Sequence, residues 1–94
     1  MAELPTLGYW ACLGRGDPIR TLLSHLEVEF EDKMYQFGDE SPEGWGAQKS
    51  QLGIPFPNLP YWKDGDVFHS EHIPIMNSIA RKYKPEYLGT TLAE

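Results

Sequence analysis

Two periods of hydrophobic and polar positions alternate along this chain. Ile19, Leu22, Leu23 and Leu26 recur at i, i+3, i+4 and i+7, the stripe of an amphipathic helix. Asp17-Pro18 ahead of them reads as an N-cap followed by proline in the first turn. Arg20, Thr21, Ser24 and His25 take the polar outer face. A second helix is predicted over 71–83, where Ile73, Ile75, Met76, Ile79, Ala80 and Tyr83 cover an arc of roughly 160° at about 100° per residue. Pro74 fits there only in the first turn, where its missing N–H costs little, and Lys84-Pro85 closes the helix. Residues 6–10 (TLGYW) are strand formers running into the Gly14-Arg15-Gly16 loop. Val28, Phe30 and Met34 give an imperfect alternation over 28–35, a half-buried strand. Asp64-Gly65 between 61–63 and 66–69 is a two-residue hairpin signal. A polar loop spans 38–46, a short helical piece is expected over 44–51, and Pro55, Pro57 and Pro60 exclude a helix before the hairpin.

The resulting order is strand–helix–strand, a loop with a short helix, then strand–strand–helix. A parallel first pair needs a crossover helix, and the hairpin supplies an antiparallel second pair. The predicted class is α/β: one small thioredoxin-like domain (βαβ-α-ββα) over 1–94 with a mixed four-stranded sheet, its core over about 7–83 and a tail over 84–94. There is no internal repeat or low-complexity tract.

Composition narrows the partners. With 94 residues the chain holds one domain and buries roughly 60–65% of its unfolded surface. Hydrophobic residues make up 40% of the chain and aromatic ones 13% of it, which suffices for a packed core. Eight Lys+Arg against fourteen Asp+Glu leave a net charge of −6, which repels phosphate backbones and anionic lipid. Nucleic acid is therefore excluded as a partner, and no apolar run reaches the roughly 18 residues of a membrane span. The single cysteine, Cys12, allows no internal disulfide and fits a reducing intracellular compartment. No targeting peptide is visible in the first twenty residues, so the cytoplasm is the expected location, with a mitochondrial one as the alternative.

Three segments, Leu7-Gly8-Tyr9-Trp10, Gly14-Arg15-Gly16 with Ile19-Arg20, and Phe56-Pro57-Asn58-Leu59-Pro60-Tyr61, resemble the glutathione transferases, most of all their mu class. The resemblance runs from about Leu7 to Tyr83 and covers the family's N-terminal, thioredoxin-like domain, without its helical C-terminal domain. It implies that Tyr9 is the catalytic tyrosine, its hydroxyl bonding the glutathione sulfur and favouring the thiolate nucleophile. It implies further that Trp10, Trp45 and Lys49 meet the glycine end of the tripeptide, Lys49 as a carboxylate partner. Asn58, Leu59 and Pro60 match the cis-proline loop, where the Leu59 backbone would pair with the cysteinyl backbone as an added strand. Glu71 stands at the position that handles the γ-glutamyl amine. The following residue, a serine in the family that holds the γ-glutamyl carboxylate at a helix N-terminus, is His72 here. Pro42 stands where mu enzymes have a basic residue shortly before the Trp45 position.

Two altered anion positions and the wide arc of 73–83 point to an accessory, non-catalytic subunit of a larger assembly, such as a mitochondrial respiratory complex, docking through that helix and keeping a vestigial glutathione site. The alternative is the glutathione-binding part of an active transferase completed by another chain or domain. A third class is a monothiol redox protein acting through Cys12, although no Cys-x-x-Cys is present. His69, Glu71 and His72 fall short of a zinc set, so no metal is expected. Arg15-Gly16-Asp17 reads as a loop glycine plus cap, and 39–43 as a solvated acidic loop.

Overall fold

The strand β1 (Thr6–Trp10) forms where the sequence pattern places it and lies at the centre of the sheet. A computed structural model describes residues 4–12, 14, 16–53 and 58–89. Arg15 and the Phe56-Pro57 part of the proline loop lie outside the described residues. Helix α1 (Gly16–His25) follows, then β2 (Glu31–Tyr35), a short helix α2 (Trp45–Gln48) continued by a 3₁₀ turn (Lys49–Gln51), the hairpin β3 (Tyr61–Asp64) and β4 (Val67–Ser70), and helix α3 (His72–Tyr83). The strand order is β2-β1-β3-β4, with β1 parallel to β2 and antiparallel to β3, and β3 antiparallel to β4. This is the mixed four-stranded sheet of the thioredoxin-like class.

The ends of the elements depart from the sequence expectation for local reasons. Helix α1 begins at Gly16, so Asp17 sits inside the first turn instead of capping it. There its charge still meets the positive end of the helix. The expected strand over 28–35 is shorter because its first residues close α1. Glu27 adopts φ 57°, its N–H reaches the Ser24 carbonyl at 3.1 Å, and the Val28 N–H reaches the Leu23 carbonyl at 3.0 Å. This pair of bonds is the Schellman cap, and Val28 packs on the core beside it. Glu27→Gly is expected to raise stability by about 1 kcal/mol, since glycine takes the left-handed conformation without a Cβ penalty. A denaturation midpoint equal to that of the parent chain would contradict this.

The hairpin turns at Gly65-Asp66, one residue later than the Asp-Gly pair suggested, because Asp64 pairs with Val67. Gly65 has φ 60° while Asp66 does not turn positive, which is the pattern with glycine at the first loop position. Pro74 lies in the first turn of α3. After α3 the chain continues as a 3₁₀ turn (Pro85–Leu88), where the Tyr87 hydroxyl and His25 Nε2 share a hydrogen bond at 3.0 Å.

Alternation along the strands gives the sheet two apolar faces. Leu7 and Trp62, opposite each other in the ladder, join Ile19 and Leu23 of α1 and Ile75 and Ile79 of α3 in the main core. On the other face Tyr35, Trp45 and Tyr61 form an aromatic cluster against which Trp10, Leu52, Leu59 and Phe68 pack. Helix α1, as well as the sheet, covers the wide apolar arc of α3. Ile75, Ile79 and Ala80 are buried and Met76 packs on the core, leaving Ile73 at 60% and Tyr83 at 36% exposure.

Candidate functional site

Tyr9 is the first of the sequence-derived candidates, and its surroundings explain two glycines. Its side chain lies on the same face of β1 as Leu7 and is 8% exposed. A Cβ on Gly14 would stand 2.5 Å from the Tyr9 hydroxyl, and one on Gly16 would stand 2.5 Å from the ring. The Gly14…Gly16 spacing is thus what lets the β1–α1 loop close over the phenol. Gly14 also needs its φ of 38°. At the end of β1, Trp10 turns to the opposite face and stacks on Phe37 with centroids 4.8 Å apart.

The helical period places Arg20 on the polar outer face of α1, and the fold turns it inward. Its Nε donates to both carboxylate oxygens of Asp32 on β2 at 3.1 and 3.0 Å, and a terminal nitrogen donates to the Cys12 carbonyl at 3.0 Å. Its guanidinium carbon is 6.0 Å from the centroid of the Tyr9 ring. The second terminal nitrogen is buried without a hydrogen-bond partner. No sequence signal ties Arg20 to Asp32, because the pairing depends on α1 crossing beside β2.

The second group of candidates meets where the loop before β3 passes the start of α3. The Leu59–Pro60 peptide bond is cis, as the resemblance implies. The Asn58 side chain links two of the expected ligand positions. Its Oδ1 accepts from the Leu59 N–H at 2.9 Å, and its Nδ2 donates to Glu71 Oε1 at 3.3 Å. Glu71 precedes α3 with φ 71°, and no side chain caps the helix. His72 opens the helix, and its Nδ1 is buried without a hydrogen-bond partner.

Trp45 and Lys49 lie apart in character. Trp45 is part of the aromatic cluster, with centroids 5.4 Å from Tyr35 and 6.1 Å from Tyr61. Lys49 is exposed in the 3₁₀ turn. Pro42 is exposed, and its carbonyl accepts from Gln48 Nε2 at 2.9 Å, tying the acidic loop to α2. In that loop the hydrogen bonds from Ser41 hold the Asp39 carboxyl below its ordinary value. Burial, then the 3.0 Å hydroxyl pair with Tyr35, raises the Tyr61 phenol well above its own. Cys12 is exposed in the β1–α1 loop. Among the described residues no three His, Cys, Asp or Glu side chains converge as metal ligands, and no helix is long and apolar enough to cross a membrane.

A βαβ unit joined to a ββα unit, with a cis-proline loop beside the start of the last helix, defines a thioredoxin-like domain. Known proteins make the class specific. The glutathione S-transferase of Tyrophagus putrescentiae is 45% identical over 101 residues, aligned with 100% of this chain and 46% of its own length. The glutathione S-transferase class-mu 26 kDa isozyme of Schistosoma japonicum is 43% identical over 79 residues, covering 84% of this chain and 35% of itself. Among solved structures, the glutathione S-transferase Blo t 8 superposes with a TM-score of 0.72 at 46% identity, over 81% of this chain and 34% of that one. A Nu-class enzyme from Haemonchus contortus matches with a TM-score of 0.75 at 23% identity, over 96% of this chain and 40% of that one, which speaks for the fold alone. No family model matches. By sequence and by fold the chain belongs with the glutathione S-transferases and corresponds to their N-terminal domain. It spans less than half the length of these curated relatives, 46% of the Tyrophagus protein.

Proposed function

We propose that this chain carries the glutathione-binding half of a transferase site. The observation that carries the reading is the Asn58 bridge between the Leu59 N–H and the Glu71 carboxylate. It brings a backbone donor, a carboxylate and the N-terminus of α3 to one place, which suits a γ-glutamyl peptide. Glu71 receives the α-amine, and the His72 imidazole and the first turn of α3 receive the α-carboxylate. The Leu59 backbone pairs with the cysteinyl unit once the Asn58 oxygen yields its place. Tyr9 bonds the sulfur through its phenolic hydroxyl and favours the thiolate that attacks an electrophile. Trp10 and Lys49 take the glycine end. The electrophile pocket and any further domain are outside these residues.

The accessory-subunit reading rested on the two altered anion positions, His72 and Pro42, and on a surplus apolar arc, most of which is covered by α1 and the sheet. A subunit role and a mitochondrial location have no structural observation in their favour.

Calorimetric titration with millimolar glutathione tests the proposal. Saturable binding is expected, and His72→Ser is expected to tighten it about tenfold, the size of one better hydrogen bond to a charged group. Absence of binding by both folded chains would overturn it.

A further inference from the structure

We propose that Arg20 is a positioning residue for Tyr9, acting as a strut between α1, β2 and the β1–α1 loop whose charge favours the thiolate of bound glutathione. The inference rests on the site reading above. The guanidinium spends Nε on both carboxylate oxygens of Asp32 and one terminal nitrogen on the Cys12 carbonyl, so it fixes the loop that closes over the phenol. Its carbon stands 6.0 Å from the Tyr9 ring centroid, within reach of a cation–π interaction. Only 17% of the side chain is exposed, and one terminal nitrogen is buried without a partner. A structural ion pair alone leaves that arrangement unexplained, because a guanidinium serving only Asp32 needs neither the loop carbonyl nor the ring.

Positive charge above a phenol strengthens its hydroxyl as a donor, and a stronger donor holds a sulfur anion better. The titratable and charged groups on the elements packed beside β1 are Asp17, Arg20 and His25 on α1, Glu31, Asp32 and Lys33 on β2, and Lys63 and Asp64 on β3. Of these, Arg20 is in range of the ring, and Asp32 is the carboxylate that partly neutralises it. The two residues must therefore act on the thiolate with opposite signs.

The test is the ultraviolet absorbance of glutathione thiolate bound to the chain, followed against pH on a Cys12→Ser background so that the chain's own thiol contributes nothing. Arg20→Met is expected to move the midpoint of thiolate formation up by about half a pH unit. Asp32→Asn is expected to move it down by a similar amount, since the guanidinium loses its counter-charge. Both variants lose the strut and melt earlier, so a purely structural role shifts both midpoints the same way or neither. Either of those results in folded chains overturns the inference, and if one variant fails to fold the sign of the other decides. A chain that binds glutathione by calorimetry but shows no thiolate at any pH also overturns it. Failure of the calorimetric binding itself is a separate result, and it removes the site reading.

Discussion

Gly8→Ala is expected to lower the unfolding free energy by about 3 kcal/mol, a large part of the roughly 5–15 kcal/mol available to a domain. An alanine Cβ would stand 2.1 Å from Cε2 and 2.4 Å from Cζ of Tyr61, the residue directly opposite in the ladder. The ring has no free direction to take. It stacks between Trp45 and Phe68, with centroids 6.1 and 5.3 Å away, and its hydroxyl is held 3.0 Å from that of Tyr35. A methyl group at Gly8 must therefore push β1 from β3 or break up the aromatic cluster and leave a buried hydroxyl unpaired. Gly46→Ala is the control, since nothing lies within 4 Å of its added Cβ. It sits in α2, where alanine is the better helix former, so it should be neutral or stabilising. Urea denaturation of the two variants distinguishes the cases, and equal midpoints would mean that Tyr61 has another place to go.

Trp62→Ala is expected to cost about 3–5 kcal/mol, with a fall in Tm on the order of 20 °C. Trp62 is 1% exposed and is the largest fully buried side chain of the main core. It is the point where the sheet, α1 and α3 meet, against Leu7, Ile19, Leu23, Ile75 and Ile79. The cavity left by the indole has walls from three separate elements, so collapse onto it would require two helices to move. Trp62→Phe should recover about half of the loss. A thermal scan checks this directly: a Tm within a few degrees of the parent would show that the layers close over the gap.

The amphipathic stripes of α1 and α3, the β1 run and the hairpin were legible because each is written in residues a few positions apart. The cap of α1 was not, since Val28 and Phe30 alternate like a strand while the backbone bonds of 27–28 belong to the helix. Gly8 was read as a motif letter, and the reason for it is the Tyr61 ring, over fifty positions later in the chain. Among the site residues, Asn58 and Glu71 are joined by a side-chain hydrogen bond, with Leu59, Pro60 and His72 following them in the chain. Trp45 turns out to share the aromatic cluster of the sheet, and the exposed Lys49 owes nothing to it.

Periodicity and turn residues therefore determined the elements, their order and the fold class, because propensity and capping act within one turn or one residue pair. The closing of the β1–α1 loop over Tyr9, the inward turn of Arg20 to Asp32 twelve residues away and the Asn58 bridge to Glu71 thirteen residues away came only with the packed chain. Such pairings depend on which faces the layers bring together, and a side chain's partner across a layer leaves no mark in its own neighbourhood of the sequence.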